Sequence, residues 1–137
     1  MTGKEQFIKA AFKNYRKNKK RLSEMRFDNL RAVDYTRKKA KSKCGGFEDA
    51  LAAFIDEKIA IEKAVELVDR TLYHYEVIER AHADGKALYI RCRFLQGMSF
   101  ARAGIECGVG DSTATNWLKD IRETAAAVAD LYALWVK

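Results

Sequence analysis

The chain contains no proline in its 137 residues, where average usage of about 5% would supply roughly seven. Proline breaks helix interiors and marks turns. Its absence, beside abundant Ala, Lys, Leu, Glu and Arg, favours an all-α fold with long helices. Cysteine is scarce. Cys44, Cys92 and Cys107 have neither the even count of a disulfide framework nor a metal-ligand spacing. An odd count, with no apolar signal region behind the basic N-terminus, points to free thiols in a reducing cytoplasm. No apolar run approaches the roughly 18 residues of a membrane span. The chain has one domain's length, and 48% hydrophobic residues suffice for a core. Internal repeats and low-complexity tracts are absent.

Acidic residues are scarce at the start. Residues 1–43 carry 15 Lys and Arg against 4 Asp and Glu, a net of +11. Residues 44–85 carry 4 against 10, and residues 86–122 carry 6 against 3. The net charge of +7 is therefore concentrated at the N-terminus and in the last third, which points to a polyanionic partner.

Three segments follow: a basic N-terminal helical arm (1–43), a long central helix (47–84) and a C-terminal unit (86–137). The arm reads as helical from about Glu5 to Ala40, with Ile8, Ala11, Tyr15, Leu22 and Met25 on one stripe. That stripe is interrupted at Asn18, inside the polar run Lys17 to Arg21. Gly45-Gly46 reads as a hinge. Phe47, Leu51, Phe54, Lys58, Ile61, Val65, Val68, Leu72 and Tyr75 then alternate in steps of four and three, a continuous seam with one lysine. The seam can pack on the N-terminal helix, on a second copy, or on both. Ala83-Asp84-Gly85 reads as its end. A shorter helix spans about Lys86 to Leu95, ended by Gly97. The last helix reads either as the scaffold's last core helix, which Leu118 and Ile121 favour, or as a strip for self-association, which Tyr132 and Trp135 favour.

Residues Ser99 to Lys119 match the requirements of a helix-turn-helix. Ser99 can cap the first helix. Ala103 and Gly104 are small where two helices cross. Gly108 suits the left-handed position at a helix end, and Val109 follows as an apolar plug. Gly110, Asp111 or Ser112 can cap the second helix, whose Ala114, Trp117 and Leu118 are spaced to face the core. Asp111, Ser112, Thr115, Asn116 and Lys119 fall on the opposite side. The start of such a recognition helix meets base edges in the major groove, where Asn can pair with adenine. Asn116 is the leading candidate for base readout. Lys119, Arg122, Arg102 and Ser99 are candidates for positioning contacts, Arg and Lys acting on phosphates. In the arm, Lys17, Lys19, Lys20, Arg21, Arg37, Lys38 and Lys39 are candidates for nonspecific phosphate attraction.

The stretch Gly85-Lys86-Ala87-Leu88-Tyr89-Ile90-Arg91-Cys92-Arg93-Phe94-Leu95 through Leu118-Lys119 resembles region 4 of sigma factors, which reads the −35 promoter element. The whole chain resembles small phage-encoded transcriptional regulators of the RinA/ArpU kind: a basic N-terminal helix, a long central helix and a terminal sigma-like helix-turn-helix. The resemblance implies control of phage or prophage late genes in the cytoplasm of a Gram-positive-type host. Double-stranded DNA is the partner the motif and charge lead one to expect, with RNA polymerase a further candidate, and the helical seam leads one to expect a homo-oligomer, a dimer before a larger ring. A phage small-terminase-like packaging subunit combines the same parts. So does a helical module that binds a host protein such as RNA polymerase or a nuclease.

No enzyme, cofactor or metal is expected. The run Gly108-Val109-Gly110-Asp111-Ser112-Thr113 lacks the lysine of a phosphate loop and follows no strand. His74 and His82 are eight residues apart, without a close pair of strong ligands, and read as surface histidines. Cys92 and Cys107 read as small core residues. Phe7, Phe12 and Tyr15 read as helix packing rather than as a platform for single-stranded nucleic acid.

Overall fold

The computed structural model describes residues 3–25, 46–78 and 85–135, and among these the chain is all-α with no strand. Helix α1 (Gly3–Lys13) and α2 (Tyr15–Glu24) form the N-terminal pair. Helix α3 (Gly46–Tyr73) continues as a π-helical turn, His74–Ile78. Helix α4 (Lys86–Ile90) also continues as a π-helical turn, Arg91–Leu95. Helix α5 (Phe100–Cys107) and α6 (Asp111–Leu131) complete the order.

The N-terminal segment bends at Asn14, four residues before the expected interruption at Asn18. Asn competes with the helical backbone for hydrogen bonds and tolerates a non-helical conformation. The ladder continues around the bend, from Asn14 N–H to the Ala10 carbonyl at 2.9 Å and from Asn18 N–H to the Asn14 carbonyl at 2.8 Å. Ile8, Ala11, Phe12 and Tyr15 are buried, so this is a packed pair of helices rather than a loose arm. The expected continuation to Ala40, the hinge residue Gly45 and the end of the central helix at Ala83-Asp84 lie outside the described residues; Gly46 opens α3.

Helix α3 packs against α1, α2 and α6. Its seam is deeply buried only in the second half. Val65, Val68, Leu72 and Tyr75 are buried, as is Leu67 beside them, whereas Leu51, Phe54, Lys58 and Ile61 are half-buried. On α6, Ala114, Ile121, Ala125, Val128 and Ala129 close the core from the other side. Each large buried aliphatic side chain contributes about 1.5–3 kcal/mol relative to exposure.

Polar clamps fix the register of these helices. The Tyr15 hydroxyl donates to Asp69 at 2.6 Å, joining α2 to α3; burial and the adjacent carboxylate push the phenol well above its ordinary range. The Tyr75 hydroxyl donates to Asp120 at 2.5 Å and lies 2.8 Å from the Thr124 hydroxyl. Lys86 pairs with the same Asp120 at 3.3 Å. The Tyr75 bond, then Lys86, holds the Asp120 carboxyl below the usual carboxylate range.

Trp135 is half-buried and packs within the chain. Its ring stacks on Phe7 with centroids 5.5 Å apart. Tyr132 remains partly exposed, with the Arg70 guanidinium 3.8 Å from its ring centre. Helix α6 ends in a turn closed by Leu134 N–H to the Ala129 carbonyl at 2.9 Å, with Ala133 left-handed at φ 53°. An L-residue with a Cβ is strained there and glycine is not. Ala133→Gly is therefore expected to stabilise the fold by about 0.5–1 kcal/mol, less the extra entropy glycine gains when unfolded. Thermal denaturation should show a rise of a few degrees.

Candidate nucleic-acid interface

The turn between α5 and α6 is built as its residues require. The Ser99 hydroxyl accepts from the Arg102 N–H at 3.2 Å and caps α5. Gly108 is left-handed at φ 71°. Its N–H returns to the Ile105 carbonyl at 3.1 Å, and the Val109 N–H returns to the Gly104 carbonyl at 2.9 Å. These are the two bonds of a Schellman motif. Ala103 and Gly104 are buried, and a Cβ on Gly104 would stand 3.2 Å from the Val109 carbonyl oxygen. Gly110 occupies the N-cap of α6, with no side-chain cap. Ala114 is buried, and Trp117 and Leu118 are half-buried against the core.

The polar side of α6 is exposed. Asp111, Ser112, Thr115, Asn116, Lys119 and Arg122 all face solvent. Ser112, Thr115, Lys119 and Arg122 follow steps of three, four and three, so they form one stripe. The Thr115 hydroxyl donates to the Asp111 carbonyl at 2.8 Å.

That stripe runs into a groove of about 570 Å³ between α1, α2, the turn after α4, and α6. Ile8, Phe12, Phe94, Leu118 and Ile121 make its apolar floor. Lys9, Lys13, Arg16, Lys17, Arg93 and Arg122 surround it, and no carboxylate lines it. A shallower hollow beside it, where Lys119 sits, adds Glu5 and Glu123 at its far end. Six like charges in one concavity raise the local potential and draw in an anion.

The floor is held by tertiary contacts. Phe12 meets Phe94 edge to face at 5.0 Å. Arg93 donates to the Met98 carbonyl at 3.1 Å. Gly97 is left-handed at φ 76°, and a Cβ there would crowd the Arg16 guanidinium. The positive φ is what the turn asks of a glycine here.

Of the sequence candidates, Lys17 and Arg122 meet in the groove, and Lys119 adjoins it. Asn116 lies beside that stripe on α6, exposed as expected. Lys19 and Lys20 are exposed on α2 without lining the groove. Three of the candidates have partners within the chain. Arg21 is engaged with Glu57 on α3, its Nε 2.8 Å from the carboxylate, which serves the α2–α3 contact. Arg102 pairs with Glu106 at 3.1 Å one turn along α5. The Ser99 hydroxyl is occupied as a helix cap. Arg37, Lys38 and Lys39 lie outside the described residues.

Lys9, Lys13, Arg16 and Arg93 were not among the candidates. The first three carry a readable signal: Lys9, Lys13 and Lys17 recur every fourth residue beside the apolar stripe, with Arg16 between them. Arg93 carries none, since its place depends on how α4 meets α1.

Cys92 is buried and Cys107 half-buried, both as free thiols. Burial, then the neighbouring Cys92, pushes the Cys107 thiol up, which leaves it a weak nucleophile at neutral pH. Among the described residues no group of three His, Cys, Asp or Glu could hold a metal ion; His82 lies outside them. No described helix is long and apolar enough to cross a membrane.

No family model, curated protein or solved structure matches the chain. The groove and the α6 stripe therefore carry the functional reading by their own chemistry.

Proposed function

We propose that this chain is a sequence-specific binder of double-stranded DNA that regulates transcription, with α5 and α6 as its helix-turn-helix. The observation that carries this reading is the continuity of two surfaces. The exposed polar stripe of α6 leads directly into a groove rimmed by six cations. A recognition helix in the major groove needs phosphate contacts on its flank to set its register. Lys119 and Arg122 stand at that flank, and Lys9, Lys13, Arg16 and Lys17 extend the basic surface onto α1 and α2. The resemblance to phage regulators adds late-gene control as the biological role, within the bacterial host.

Asn116 reads base edges in this arrangement and the groove cations do not. Selection from a random duplex pool should return a preferred site. Asn116→Ala should then lose about 1–3 kcal/mol of discrimination at one base pair. Its salt dependence should match the parent protein. Equal affinity for every duplex, or an unchanged preference in the variant, would overturn sequence reading by α6.

A further inference from the structure

The first half of α3 keeps an apolar face toward solvent. Ile55 and Ile59, one turn apart, are each 45% exposed, and Ala52 and Ala60 beside them are exposed too. Ile59 and Ala60 border a surface hollow of about 270 Å³ walled by Phe7, Leu134 and Trp135. Asp56 and Lys63 line the same hollow, seven residues apart on α3. Neither belongs to an ion pair among the described residues.

We propose that this face pairs with α3 of a second copy, antiparallel, about a two-fold axis between Ile59 and Ala60. In that register Ile59 meets Ala60 of the second copy, large against small, and Asp56 meets its Lys63. The same ion pair then forms twice, as a two-fold interface requires. Parallel pairing would set Asp56 against Asp56 and Lys63 against Lys63, which like-charge repulsion disfavours. The charge pattern is thus complementary to itself in one orientation only. Ile55 and Ile59 leave water together with the hollow beside them, the arrangement of apolar centre and charged rim found in specific interfaces. This surface is separate from the basic groove and does not depend on DNA binding.

Sedimentation equilibrium on the full chain tests the pairing, with circular dichroism as a check on folding. The parent protein should be a dimer at micromolar concentration. Ile59→Glu should be a folded monomer, since Ile59 is exposed within one copy. Asp56→Lys and Lys63→Asp should each weaken association about tenfold or more, because each places like charges together twice. The doubly swapped chain should recover parental association. Seven residues span about 10.5 Å of helix, so no contact within one copy explains that recovery. A monomer at every concentration, a dimer indifferent to Ile59→Glu, or a double swap without rescue each overturns the proposal.

Discussion

Replacing Lys13, Arg16, Lys17 and Arg122 together by alanine should flatten the salt dependence of duplex binding and remove most of its strength. The logarithm of affinity falls with log salt by about 0.9 per phosphate contact. Six contacts imply about a thousandfold loss between 50 and 200 mM salt, and two contacts only about tenfold. Fluorescence anisotropy across that range should therefore give a slope near −5 for the parent protein and near −2 for the variant. These four side chains are exposed, so the melting temperature should hardly move, and relief of their mutual repulsion favours a slight rise. Arg70→Ala is the control: Arg70 pairs with Glu66 at 2.6 Å and lines no part of the groove. An unchanged slope in the fourfold variant would remove the groove from DNA binding.

Tyr75 is the second position with a large expected effect. It is 1% exposed, and its hydroxyl joins the π-helical turn after α3 to Asp120 and Thr124 on α6. Tyr75→Ala should destabilise the fold by about 3–5 kcal/mol, from lost burial and the cavity left behind. Tyr75→Phe keeps the ring and should lose about 1–2 kcal/mol with its bond to a charged acceptor. Urea denaturation distinguishes the two. The acid limb adds a signed check. Asp120 is more acidic in the folded chain than when unfolded, so it contributes stability above the ordinary carboxylate range, and that stability is lost as pH falls from that range through its lower folded value. Tyr75→Phe removes the largest cause of the shift, so its stability should fall less on acidification. Parallel acid limbs in the two proteins would contradict this role for the Tyr75–Asp120 bond.

Much of the local structure was legible without coordinates. The Ser99 cap, the left-handed Gly108, the buried Ala103 and Gly104 and the outward polar side of α6 each follow from the residue's own geometry or from helical period. The same rules failed where neighbours in space decide. Asn18 is the more polar context, yet the bend falls at Asn14, between the buried Phe12 and Tyr15 that must both reach the core. Arg21 sits in the most basic run of α2 and still belongs to Glu57. The spacing of Trp135 left core and surface open, and its partner Phe7 lies 128 positions away in sequence.

By itself the sequence determined the helical class, the turn before α6 and the uneven spread of the chain's own positive charge. Backbone geometry, 3.6-residue periodicity and formal charge are local properties, and they survive any arrangement of the helices. Only the tertiary structure decided where that charge is gathered. The groove exists because α1, α2, the turn after α4 and α6 converge, bringing Lys9 and Arg93 to Arg122. It also decided that the first half of α3 is left open while the second half is buried. Both depend on interhelical packing, which a repeating apolar pattern permits in several ways and only a complete set of contacts selects.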